Sequence, residues 1–560
     1  MPRRTLTGGV LPAAATLLLV ACAPGGAGSP HPPSSAVAAL PLTQAIRAGH
    51  DDGPIPGAAP LSLSLVLERR HAGELAALIA AGGHVTPSQL AARYSPDPGA
   101  VAAAVATLRA AGLRAEWGAG SAQLVVTGPA GAAERLFKVD VHRFTAPNGQ
   151  RFQAPLGPVT VPSALRPAVA AVLGFTTYPA TRYSSLVHGE LSPSDVESIY
   201  DIGPLHQRGL DGSGLTVAFP EGSIPQSSVL DSYASKFGLP AFDVTVKTDP
   251  SWGPAARPGD QGFDQSDGET EMDLEIVHAI APGAKEVVYA GAGGGVQQLP
   301  LLYAAIAQDF PNAIVSSSLG LNDCEGSQYQ QEETAFDSAW STMAGEGTTA
   351  YDASGDFGAF CEPGKLGVYP DVASPNVTAV GATTVFQAAD GGYAAESAWG
   401  DPVDQIGTGG GLSTVFHRPS WQAGPGVQNK DSNGMRQVPD AAAPGDPISP
   451  YDTIANSGPS PGNGTSAAAP FWAAITALIY QALAQQHLGH PGLMAPVLYA
   501  LAQSPAGLPS NPFHDVQTGS NLNYAAGPGW DYASGWGTPD VARLADDLVW
   551  YETNHPQGTP

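Results

Sequence analysis

Cysteine is close to absent, with three in 560 residues, which excludes a scaffold stapled by disulfides and any zinc module built on clustered thiols. Cationic side chains are also few: 24 Lys and Arg stand against 50 Asp and Glu, a net charge of −26. A surface of that sign cannot bind nucleic acid by neutralising phosphates, and anionic membrane repels it. Charged residues make up only 13% of the chain, so long solvated helices are excluded as its main architecture. Beyond the N-terminus no apolar run reads as a membrane span.

The one early apolar run, from Val10 to Ala21, follows Arg3 and Arg4 and ends at Cys22. It is too short to span a bilayer and reads as an export signal. Leu19-Val20-Ala21-Cys22 also resembles the bacterial lipobox, whose cysteine is lipidated after cleavage; an ordinary signal peptide is the alternative. In an exported protein the remaining pair, Cys324 and Cys361, reads as a disulfide. The 68 Gly and 53 Pro predict many turns, and the length exceeds one ordinary core, so two domains are expected.

Charge divides along the chain. Residues 1–186 hold 14 Lys and Arg against 8 Asp and Glu, whereas residues 187–560 hold 10 against 42. Solubility alone accounts for an acidic surface but not for the change of sign. A basic segment bound to an acidic one does, and so many carboxylates suit a protein that works in acid.

In the first half, alternating apolar residues predict a strand at 61–67, with helices at 72–81 and 100–111. A strand at 124–127, a helix at 130–137 and a strand at 139–144 complete a small α+β domain. The second half alternates β-rich runs (215–219, 286–290, 313–317, 377–380) with helical stretches (227–237, 269–280, 299–307, 466–484). That alternation predicts an α/β fold, a mostly parallel sheet with helices on both faces, and an active site at the carboxyl ends of its strands.

Four segments carry candidate chemistry. Gly464-Thr465-Ser466-Ala467-Ala468-Ala469-Pro470 opens an apolar helix, placing Ser466 at a helix N-terminus among small residues that admit a substrate backbone. A plain N-cap is the bland alternative. A serine nucleophile normally takes a histidine base. His188 lies in the linker between the halves, however, and His278 ends an apolar helix and reads as structural. In Asp267-Gly268-Glu269-Thr270-Glu271-Met272-Asp273-Leu274-Glu275, Glu269 and Asp273 are four apart and share a helix face. Carboxyls that close couple their titrations, so Glu269 can accept a proton while Asp273 supports it, with Glu271 and Glu275 as the solvated face.

Ser354-Gly355-Asp356-Phe357-Gly358 follows a β-like run at 348–351 and can project Asp356 into a cleft. A protonated Asp356 can donate to the oxyanion of a tetrahedral intermediate, as an ionised one cannot. Last, Asp515-Val516 and Gly527-Pro528-Gly529-Trp530-Asp531 offer two carboxylates around Gly-rich turns, a set of hard oxygen donors suited to calcium, with a plain loop as the alternative.

In order and motif these segments resemble the sedolisin family, the serine-carboxyl peptidases. The resemblance implies a subtilisin-like fold preceded by a small α+β, ferredoxin-like activation prodomain. It implies a triad of Ser466, Glu269 and Asp273 with Asp356 in the oxyanion hole, and one Ca2+ held by Asp515 and Asp531 with the carbonyls of Val516, Gly527 and Gly529. Ser318-Leu319-Gly320 resembles the strand edge that pairs with substrate backbone, and a Cys324–Cys361 disulfide occurs in some bacterial members. Leu108 to Leu113 and Val169 to Phe175 resemble prodomain segments. The divisions implied are a signal at 1–22, a linker at 23–58, a prodomain at 59–177, a linker with the maturation site at 178–192 and a peptidase at 193–560. Two positions depart from the family pattern: Phe357 replaces the serine of GDSG, and Val368 stands where an acid is usual.

The function implied is a secreted acid endopeptidase made as a zymogen and autoprocessed at low pH. It would act as a monomer on protein or peptide substrates, with its own prodomain as inhibitor and membrane attachment only through a lipidated Cys22. The alternatives are a tripeptidyl-peptidase of the same family, a conventional subtilisin-like peptidase, and a silent lipid-anchored binding protein on a peptidase fold.

Overall fold

The computed structural model describes residues 42–118, 120–147, 151–178, 190–257, 267–291, 296–321, 323–326, 330–455, 458–503 and 507–555. The signal and Cys22, and most of the maturation linker (179–189), lie outside them.

The first half is built on β1 (Pro60–Leu67), α1 (Ala72–Ala80), α2 (Pro98–Ala110), β2 (Arg114–Trp117), β3 (Gln123–Pro129), α3 (Ala130–Phe137) and β4 (Val169–Leu173). The strands form an antiparallel sheet in the order β2-β3-β1-β4, with crossovers through α2 and α3. Strand periodicity explains both faces. Leu61, Leu63, Leu65 and Leu67 bury against Val101 and Leu108 of α2 and Phe137 of α3. On the opposite face Ser64 donates to Gln123 at 2.7 Å, and Val66 packs outward. Asp97 caps α2 by accepting from the Ala100 amide at 2.8 Å, with Pro98 in the first turn. Helix Leu42–Ala48 and strand His50–Pro54 precede this unit, in the stretch read from sequence as linker. That strand, HDDGP, is too short and polar to show alternation; it is held by backbone pairing to Val141–Thr145.

The second half contains β5 (Thr216–Glu221), β6 (Val244–Lys247), α4 (Asp267–Ile280), β7 (Lys285–Ala290), α5 (Leu299–Asp309), β8 (Ile314–Ser317), α6 (Gln330–Gly345), β9 (Thr349–Ala353), β10 (Thr378–Gln387), β11 (Tyr393–Ala398), β12 (Ala441–Pro444) and α7 (Thr465–Gln485). The sheet order is β11-β10-β9-β8-β5-β7-β6, with β12 also beside β10; all pairings are parallel except β10 with β11. This is the subtilisin-like layered sheet.

Successive strand residues feed two cores. Val217, Phe219, Val288, Ile314 and Tyr351 face α4 and α7, while Ala218, Val287, Tyr289, Val315 and Ala350 face α5 and α6. Helix α7 is apolar and long enough to cross a membrane by length and composition alone, but 89% of that window is buried, which makes it the central core helix. The carboxyl ends of β5, β8 and β9, three neighbours in the sheet, converge on its first turn.

The outer face of the first sheet is covered by α6: Val66, Ala171 and Leu173 meet Ala335, while Leu75 and Ile79 of α1 meet Ala344. The Gln331 and Gln297 side chains accept from the Val172 and Gly174 amides at 2.7 and 2.5 Å, and Val85 N donates to Gly345 O at 2.8 Å. The expected meeting of a basic and an acidic segment therefore takes another form. Among the described residues no ion pair crosses this boundary, and the contact combines apolar packing with hydrogen bonds through the Gln297, Gln331, Asp323 and Arg69 side chains.

Candidate active site

Ser466 lies in the first turn of α7, fully buried, after Gly464 with φ +88°, a conformation that favours glycine. Its Oγ donates to the Ser318 carbonyl at 3.4 Å. Ser318, one residue past β8, donates its hydroxyl to Asp273 Oδ2 at 2.7 Å and lies 3.1 Å from the Ser466 carbonyl. The predicted strand edge is thus tied by its first side chain to both the acidic helix and the serine turn.

Asp356 stands on the other side of that turn. Its Oδ1 accepts from both the amide and the hydroxyl of Thr465, each at 2.8 Å, and the Thr465 hydroxyl in turn accepts from Gly355 N at 2.9 Å. The residue preceding the serine therefore locks the aspartate in place. Gly355 is required here: φ is +98°, and a Cβ would stand 2.1 Å from the Tyr369 ring. Burial raises the Asp356 carboxyl to about 7, against the Thr465 hydrogen bonds that oppose it, and the Glu269 charge adds to the rise.

Glu269 and Asp273, on one face of α4, are 5% and 0% exposed. Burial, then the charges of Glu221 and Glu269, hold Asp273 well above its usual range, with the Ser318 bond opposing. The structure thus gathers Ser466, Glu269, Asp273 and Asp356 into one water-poor cluster, where charge interactions are strong. No histidine bonds to Ser466 among the described residues; His278 stacks on Phe242 at 3.8 Å and pairs with Glu286 at 3.4 Å, as part of the core.

Two expectations on α4 are corrected. Glu271 and Glu275 are not a solvated face: both are 0% exposed. Glu271 accepts from Gln226 N at 2.7 Å and Glu275 from Ile454 N at 2.8 Å, because the hairpin at 451–462 and helix Ser227–Phe237 cover the side of α4 turned away from α7. Glu221 was not singled out by sequence. It ends β5 fully buried, accepts from Thr270 Oγ1 at 3.1 Å and hydrogen-bonds Asp273; a single Glu ending an apolar strand was the only signal.

The two departures from the family pattern meet. Phe357 and Val368 pack into the apolar cluster around Cys324 and Cys361, which are joined in a disulfide. At the far loop, Gly529 N donates to Asp515 and Gly527 N to Asp531 Oδ2 at 2.8 Å, so one glycine turn brings both carboxylates together. Two carboxylates with flanking carbonyls are a donor set that fits Ca2+.

Residues 48–178 match the family "Pro-kumamolisin, activation domain" and residues 264–537 match "Subtilase family". The chain is 33% identical over 539 residues to kumamolisin of Bacillus sp. (strain MN-32), covering 89% of this chain and 93% of that one. The chain belongs to the sedolisin family. It is also 29% identical over 512 residues to sedolisin of Pseudomonas sp. (strain 101), covering 82% and 80% of the two chains. A solved structure, "Pseudomonas sedolisin (serine-carboxyl proteinase) complexed with two molecules of pseudo-iodotyrostatin", matches with a TM-score of 0.55 and 26% identity over 66% of this chain and 99% of that one. This member of the family is a serine-type peptidase carrying an activation prodomain.

Proposed function

We propose that the protein is an acid-acting endopeptidase in which Ser466 attacks the scissile carbonyl, Glu269 takes its proton, Asp273 supports Glu269, and protonated Asp356 donates to the oxyanion. The observation that carries this reading is the clamp of Asp356 onto Thr465, beside Ser466, in surroundings that raise its pKa to about 7. A carboxyl held neutral below that pH is a hydrogen-bond donor aimed where negative charge develops. The base must be ionised while the oxyanion acid is protonated, so activity falls as pH rises through the Asp356 titration.

The first half acts as inhibitor and folding aid, released by self-cleavage within 178–192 at low pH after export. A lipidated Cys22 is the only membrane attachment in this reading. Asp515 and Asp531, with the carbonyls of Val516, Gly527 and Gly529, would hold one structural Ca2+; the ion would supply charge neutralisation in that loop and take no part in peptide hydrolysis.

The test is digestion of a denatured protein and of internally quenched peptides across pH 2–8 by wild type and Ser466→Ala. Internal fragments in acid, lost in Ser466→Ala, are expected. Release of N-terminal tripeptides alone would replace the endopeptidase reading, and cleavage by Ser466→Ala would overturn the nucleophile.

A further inference from the structure

Beneath the Ser318–Leu321 segment lies a second carboxyl cluster that the reaction as proposed does not use. Asp371 Oδ1 accepts from the Leu321 amide at 3.1 Å, and its Oδ2 would stand 2.4 Å from a Cβ on Gly320. Only glycine lets the chain lie this close to the carboxylate. Asp371 is itself fixed, because the Trp340 indole of α6 donates to its carbonyl at 2.9 Å. Asp352, 1% exposed, lies in β9 opposite Ser317, the residue before this segment, and four residues before Asp356; there it feels the Asp371 charge. The Ser317 hydroxyl and the Ala353 amide are the hydrogen-bond donors at its carboxylate, and neither carries a charge.

We propose that Asp371 is a positioning residue for peptide hydrolysis, holding the substrate-facing segment Ser318–Leu321 in place through the Leu321 amide, with Asp352 as its proton-sharing partner. The proposal rests on the site assigned above, since Ser318 in that segment bonds Asp273 and lies against the Ser466 carbonyl. A displacement at Leu321 is transmitted one way to the peptide-binding edge and the other to the catalytic turn. Through Asp352 the same contact reaches β9 and the oxyanion loop.

Two buried carboxyls at this distance from solvent cannot both be ionised without a compensating cation. Among the described residues neither takes part in an ion pair, and the fully buried pairs in this half are His278–Glu286 and Arg436–Asp440. The other titratable groups felt here are Tyr303 of α5, whose hydroxyl is 2.8 Å from Ser317 Oγ, and Glu221 of β5, neither of them cationic. Burial holds Asp371 at about 7, and burial with the Asp371 charge holds Asp352 well above the carboxylate range. One proton shared by the pair keeps Asp371 on Leu321; loss of that proton sets two charges against each other and frees the edge.

The experiment measures kcat and KM from pH 4 to 8 for mature wild type, Asp371→Ala, Asp371→Asn and Asp352→Asn, using an internally quenched peptide long enough to lie along the edge. Asp371→Ala is expected to raise KM about 10-fold or more, the scale of a misplaced binding group. Asp371→Asn keeps an acceptor for Leu321 and is expected within about twofold of wild type. Asp352→Asn supplies a permanent neutral partner, so its KM is expected to stay flat where wild-type KM rises above pH 6, while the loss of kcat governed by Asp356 remains. Wild-type KM in Asp371→Ala, or equal losses in the Ala and Asn variants, would overturn the proposal. If Asp371→Ala does not fold, the KM profile of Asp352→Asn decides, and a profile parallel to wild type overturns it. Ser466→Ala run alongside separates the two readings: residual turnover there removes the site itself, whereas an inactive Ser466→Ala with a normal Asp371→Ala removes only the role of Asp371.

Discussion

The imidazoles of His84 and His490 face each other across the boundary between the activation segment and the peptidase, with centroids 6.2 Å apart and planes 7° from parallel. Behind them His490 stacks on Tyr480 of α7 at 4.6 Å. Burial holds both rings below the ordinary imidazole value, His490 to about 4 with the His84 charge adding. The assembled state therefore resists protonation, and its stability is full above about 6.5 and lost as pH falls toward 4. A shift of that size corresponds to roughly 3 kcal/mol. Glu346, raised to about 7 by burial against the Arg69 charge, works in the opposite sense: its contribution to stability is full in acid and declines as pH rises through that value, so the histidines act against it. His84→Phe, which keeps a ring and removes the titration, is expected to slow prodomain release at pH 4–5 and leave pH 7 unchanged, read on a gel against time. Equal rates at both pH values would remove the histidine pair from activation.

Asp356 is expected to be worth about 10²–10³ in kcat, the usual effect of one oxyanion donor. Asp356→Ala should show that loss at pH 4 with a smaller change in KM. Because the wild-type carboxyl titrates at about 7, kcat is expected to fall as pH rises through that value. Asp356→Asn keeps an acceptor for Thr465 and a neutral donor, so its kcat should depend less on pH between 6 and 8. A pH profile identical in wild type and Asp356→Asn would assign the titration to another group.

Much of this site is legible in the sequence because helical spacing puts Glu269 and Asp273 on one face and the GTSAAAP run marks the start of a helix. Strand and helix positions in the sheet were likewise readable from alternation, with helix Ser227–Phe237 found to the residue. What is lost concerns burial. Acids at 269, 271, 273 and 275 point to both sides of α4, and a sequence does not show that a hairpin closes over the second side. Helix α6, QQEETAFDSAWSTMAG, reads as polar, yet Glu332 and Glu333 are buried, because the activation segment and the loops around Gln297 and Gly326 cover them. Glu221 and Asp371 act only through partners distant in sequence, Asp273 and Leu321, so no local pattern reveals them.

The Asp515–Asp531 loop gives a prediction independent of catalysis. If it holds Ca2+ in the folded state only, free ion at 100 times its dissociation constant stabilises by about 2.7 kcal/mol. Chelation of the Ser466→Ala zymogen, which cannot digest itself, should lower Tm by several degrees, with recovery on adding Ca2+ and little on adding Mg2+. Asp531→Asn should show the lowered Tm without chelator. A Tm indifferent to chelator and to Ca2+ would mean that the two carboxylates serve only the glycine turn.

The buried acids of α4 make acidity a condition of stability as well as of rate. Glu275 has its pKa raised to about 9, chiefly by burial, while the Ile454 amide opposes the shift. For a carboxyl whose folded value lies above its unfolded one, the contribution to stability is full below about 4.5 and declines as pH rises toward the folded value. Wild-type Tm should therefore fall between pH 4.5 and 8. Glu275→Gln keeps an oxygen for the Ile454 amide and needs no proton, so it should match wild type near pH 4 and exceed it at pH 8, by a few kcal/mol at most. The measurement is thermal unfolding of both proteins on the Ser466→Ala background across that range. Parallel curves would show that Glu275 reaches solvent when it ionises, and would shift the alkaline loss of stability to Asp273 and Asp356.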